Sequence, residues 1–86
     1  MNRDELKLIL QEGEGYKVEF KENTSGLDRE IIAFANSSGG RIFIGVTDSG
    51  QVKGVIISNK LKSQIQDMAN NCRPKVKIIL EELFEE

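Results

Sequence analysis

The spacing of apolar residues changes along the chain, and each change marks an element. Leu6, Ile9 and Leu10 recur at helical spacing behind Asn2 and Glu5, which are placed as a capping box. Gly13 and Gly15 end that helix. Tyr16, Val18 and Phe20 then alternate with Lys17, Glu19 and Lys21, which predicts a strand with one buried face. Leu27, Ile31, Phe34 and Ala35 form the stripe of a second helix, capped by Ser25 with Asp28 and stopped by Gly39 and Gly40.

Residues 41–47 are apolar on both sides, as in an interior strand. Asp48, Ser49 and Gly50 suit a three-residue hairpin loop ending in a glycine bulge, and a third strand is expected over 51–57. Ser58 caps a third helix whose inner face carries Leu61, Ile65, Met68, Ala69 and Cys72. After Pro74, alternation from 75 to about 83 predicts a fourth strand. The expected fold is therefore α+β, one domain over 1–86. It is a two-layer sandwich, an N-terminal helix followed by β-α-β-β-α-β, with a mixed four-stranded sheet and its helices on one face.

That arrangement leaves a second sheet face on which function could sit. The loop pairs Thr47 with Gln51, Gly45 with Lys53, Phe43 with Val55 and Arg41 with Ile57. Ile42, Ile44, Val46, Val52 and Ile56 then enter the core. The outer face gathers Lys17, Lys21, Arg41, Lys53, Lys75 and Lys77 around Phe43 and Glu19. Such a surface can follow phosphates and stack a base. Strands also commonly present lysine to water, and Val55, Ile57 and Ile79 would then mark an interface with a second copy or with more chain.

Composition narrows the classes. Apolar residues make up 38% and charged residues 30%, as in a globular protein. A chain of 86 residues buries only about 60–65% of its unfolded surface, so stability should be marginal. The net charge of −2 hides an asymmetry. Glu81, Glu82, Glu85 and Glu86 crowd the end, leaving ten acids against twelve bases, a balance of +2, over residues 1–80. Histidine is absent, which removes the commonest general base and most zinc geometries. Cys72 stands alone, so no internal disulfide forms, and a reducing, cytoplasmic setting without membrane contact is expected. Cys72 reads as core. No dinucleotide-binding or phosphate-binding glycine loop is present.

Three segments carry a family resemblance. They are the strand reading VEFK (18–21), the run AFANSSGG followed by RIFIGVTDSG (33–50), and VKGV (52–55). In order and spacing, from about Gly13 to Pro74, they resemble the Schlafen-type, Alba-like DNA-binding domain. The resemblance implies a domain at the front of longer bacterial and archaeal proteins, often called transcriptional regulators, commonly followed by ATPase-like or winged-helix parts. It also implies a further strand beyond Glu86.

Schlafen relatives that cut RNA hold a divalent metal with three carboxylates, and Glu14, Glu19 and Asp48 occupy the matching positions here. Oxygen ligands of this kind suit Mg²⁺ or Mn²⁺, which activate water against a phosphodiester, and Lys21 would neutralise phosphate charge. Each carboxylate also has a structural reading: a polar residue between glycines, a partner for Lys17 or Lys21, and a turn-former. Nucleic-acid binding through Lys17, Lys21, Arg41 and Lys53, supported by Phe43, Lys75 and Lys77, is the leading expectation. A Mg²⁺- or Mn²⁺-dependent nuclease and a homodimeric assembly module are the alternatives.

Overall fold

A computed structural model of the chain describes residues 1–84, so Glu85 and Glu86 of the acidic end lie outside it. Helix α1 spans Arg3–Glu12. Its cap forms as expected, with the Asn2 side chain accepting the Glu5 N–H at 2.8 Å. Asp4 and Glu5 in the first turn favour the positive end of the helix dipole. Strand β1 (Val18–Lys21), helix α2 (Leu27–Ala35), strand β2 (Arg41–Ile44) and helix α3 (Asn59–Asn70) follow. Ser58 caps α3 by accepting the Leu61 N–H at 3.1 Å. Among the described residues, no helix is long and apolar enough to cross a membrane.

Helix α2 starts differently from the expectation. Its cap is Gly26 in the left-handed region, with no side-chain bond. The Ser25 N–H bonds the Asn23 side chain at 2.9 Å, and Ser25 supplies no side-chain cap. The double glycine after α2 has two separate jobs. Gly39, at φ 88°, gives its N–H to the Phe34 carbonyl at 2.9 Å. Gly40 has an ordinary φ, but a Cβ there would overlap the Phe34 ring.

The sheet is smaller than the four strands expected. β1 and β2 pair in parallel, and no further strand joins them among the described residues. The hairpin turn itself forms in the expected register. Thr47 N–H bonds the Gln51 carbonyl at 2.9 Å, Gly50 N–H bonds the Thr47 carbonyl at 2.9 Å, and Val46 bridges Val52. Pairing stops at the next step, because the Gly45 carbonyl receives both the Lys53 N–H (2.8 Å) and the Gly54 N–H (2.9 Å). One acceptor facing two donors is a bulge, and it bends the chain out of the ladder. Phe43 therefore never meets Val55 as a strand pair. In residues 75–84 the alternation describes burial without pairing. Val76 and Ile78 pack on the core, while the Val76 N–H goes to the Ala69 carbonyl of α3 at 3.1 Å.

Leu27 and Ile31 of α2 pack with Ile65, Ala69 and Cys72 of the α3 region, and Ile42 and Ile44 lie against this cluster. Residues paired across a parallel ladder share a face. Glu19 and Lys21 are therefore on the helix side with Ile42 and Ile44, while Val18 and Phe20 are on the other side with Arg41 and Phe43. That second side is not an open face. Phe20 is only 2% exposed and meets Phe43 edge-on at 6.1 Å. Leu6 and Val46 are also buried outside the α2–α3 cluster. α1 abuts the hairpin turn, where a Cβ on Gly50 would stand 2.6 Å from the Leu10 carbonyl oxygen. The expectation of helices on one face and water on the other is thus corrected. β1 carries its large apolar residues on the side away from α2 and α3, and that side needs cover of its own.

Candidate nucleic-acid interface

The chain enters β1 through a tight turn. Gly15 and Val18 exchange two backbone bonds, at 3.1 and 3.4 Å, leaving Tyr16 and Lys17 at the tip. The alternating pattern assigned Tyr16 to the core, yet its side chain is fully exposed. The strand begins only at Val18, so the first member of the alternating set falls in the turn. The Lys17 ammonium reaches the end of α2, 2.6 Å from the Ser38 hydroxyl and 3.4 Å from the Ser38 carbonyl. The Arg41 N–H bonds the Lys17 carbonyl at 2.8 Å. Tyr16, Lys17, Ser38 and Arg41 are thus drawn to one end of the sheet. Among the described residues, neither Lys17 nor Arg41 forms an ion pair.

The remaining basic residues do not join that group as the pattern predicted. Lys21 lies on the helix side, its ammonium 4.0 Å from where a Cβ on Gly26 would stand. The register separates Lys21 from Arg41 across the sheet, so Lys21, Arg41 and Lys53 do not share one face. An alternating pattern within each strand cannot say which set of one strand lies beside which set of the next. Lys53 pairs with Glu22 at 3.1 Å, beyond the opposite end of β1. Lys75 and Lys77 are exposed on the segment after α3. Phe43 is half-buried and packs edge-on with Phe20.

The carboxylates sort differently again. Burial on the helix side raises the Glu19 carboxyl above its usual range. The neighbouring charges of Glu14 and Glu30 and a hydrogen bond with Glu14 raise it further, and Lys21 pulls it back. Glu14 and Glu19 therefore lie near one another. The third neighbour is Glu30 from the first turn of α2, which the strand pattern could not indicate because it arrives through tertiary packing. Asp48 sits exposed at the hairpin turn. Among the described residues, no three acidic or thiol side chains are spaced to hold a metal ion, so Glu14, Glu19 and Asp48 do not fit Mg²⁺ or Mn²⁺ as a set.

A sequence model of one known family, described as Schlafen, AlbA_2, matches residues 14–85. No curated protein and no solved structure matches the chain.

Proposed function

The chain belongs to the Schlafen, AlbA_2 family, and on that premise we propose that it is the nucleic-acid-binding domain of a cytoplasmic transcriptional regulator, gripping phosphates at the end of the sheet that holds Lys17 and Arg41. The supporting observation is the placement of these two cations. The backbone bond between the two residues keeps their main chains adjacent, Ser38 holds the Lys17 ammonium, and no acid among the described residues neutralises either cation. Phosphate contacts of this kind position a nucleic acid without reading its sequence. Lys53 contributes less, because its charge is shared with Glu22. Metal-dependent cleavage is not part of this reading.

The test is a binding titration with labelled DNA and RNA. Changing Lys17 and Arg41 together to alanine should weaken binding about tenfold or more, whereas Lys21→Ala should leave it near the parent value. Equal affinity of the double variant and the parent would remove this surface from consideration.

One observation favours a second reading, pairing of two copies through the segment after α3. Ile79 is 84% exposed there, with Lys77 and Glu81 placed symmetrically about it. Two antiparallel copies centred on Ile79 would set each Lys77 across from the other copy's Glu81. Sedimentation of the parent and of Ile79→Lys checks it, and a monomeric parent at high concentration would sink it.

A further inference from the structure

Tyr16 is the most exposed of the large apolar residues that the structure leaves uncovered. Its ring is fully exposed and buries no apolar area, although the alternating pattern of the segment assigned it to the core. The turn that carries it is closed by two backbone bonds between Gly15 and Val18, so the tip has a defined geometry. Its neighbour Lys17 is held by Ser38, and Arg41 is bonded to the Lys17 carbonyl. An aromatic ring free on its surface thus belongs to the turn that carries Lys17, whose main chain is bonded to that of Arg41, and no acid among the described residues pairs either cation.

We infer that Tyr16 is a stacking platform for an unpaired nucleobase, which makes single-stranded nucleic acid, or an unpaired nucleotide at the end or bulge of a duplex, the ligand of this surface. The inference rests on the nucleic-acid reading above and adds the ligand class to it. Cations alone hold duplex and single strand alike, because both present phosphates. A base inside a duplex already has both faces stacked, whereas an unpaired base has a face to offer. Tyrosine suits the role because its ring is rigid and loses little side-chain freedom on contact. Stacking of one base on one ring is sequence-tolerant, so the surface would show little preference among bases.

The chain supplies its own probe. Tyr16 is the only tyrosine and tryptophan is absent, so tyrosine emission reports on this residue alone. The experiment titrates the protein with oligo(dT), oligo(U) and a blunt DNA duplex, following both anisotropy of labelled strand and tyrosine emission. The expected result is quenched emission on saturation with the single strands and little change with duplex. Tyr16→Ala should lose about 5- to 100-fold in single-strand affinity, Tyr16→Phe should retain it, and duplex binding should be unaffected by either. The two single-strand arms separate DNA from RNA as the source of the base. Binding seen by anisotropy with unchanged emission and an unaffected Tyr16→Ala would overturn the stacking role while leaving phosphate binding in place. No binding in any arm would overturn both.

Discussion

The ammonium of Lys17 stands 2.6 Å from the hydroxyl of Ser38, tying the turn ahead of β1 to the loop after α2. The contact is exposed, so its worth to folding is small. Its effect is to hold a long, flexible cation in one place before any ligand arrives.

Ser38→Ala should therefore act on binding more than on stability. Freeing one rotamer-rich side chain costs about 0.5–1.5 kcal/mol when a ligand must immobilise it again, which corresponds to roughly two- to tenfold in affinity. Thermal unfolding should stay within about 0.5 kcal/mol of the parent. A large loss of stability with unchanged affinity would contradict this division.

Salt dependence counts the phosphate contacts. Each neutralised phosphate contributes about 0.7–0.9 to the slope of log affinity against log salt. The double change of Lys17 and Arg41 to alanine should lower that slope by about 1.5, and Lys53→Ala should lower it by less because Glu22 shares its charge. Titrations at four or five salt concentrations give the slopes directly.

Gly40→Ala should destabilise the domain by about 1–3 kcal/mol, because the new methyl group meets the Phe34 ring. The mechanism predicts coupling. In a Phe34→Ala background the same change should cost much less, and a denaturant double-mutant cycle measures the difference. Additive costs would place the strain elsewhere.

The crowded carboxyl of Glu19 gives a signed pH effect. Its folded-state pKa lies above the unfolded value, so the fold binds the extra proton more tightly. The stability this proton supplies is full below the unfolded range of about pH 4 and is lost as pH rises through the folded pKa. Glu19→Gln removes the titrating group. At neutral pH the variant should unfold at a slightly higher temperature than the parent, with the gap closing toward about pH 4. Melting curves across that range check it, and a gap that widens in acid would reverse the sign.

Much of the fold was legible in the sequence because much of it is local. The caps at Asn2 and Ser58 join residues three apart, and the turn at Asp48, Ser49 and Gly50 closes within five residues. Such geometry follows from side-chain reach and glycine placement, whatever the rest of the chain does. The helical stripe of Leu27 and Ile31, and the buried Cys72, were legible for the related reason that one apolar face must find cover. Of these local features, the turn at Asp48, Ser49 and Gly50 also lies within the segments that carry the family resemblance.

Tertiary structure decided the site. Alternation along β1 and β2 is unchanged when one strand slips by a residue, yet the slip moves every side chain to the other face. The pairing of Val18 with Arg41 set Lys21 beside Ile44, away from Arg41, and brought Phe20 onto Phe43. The bulge at Gly45 and Gly54 ended the third strand, and the capture of Val76 by α3 leaves residues 75–84 outside any ladder. The same packing brought Glu30 to Glu19. What a residue's neighbours along the chain dictate could be read beforehand. Which distant backbone it lies against was settled only by the competition among all the buried surfaces at once.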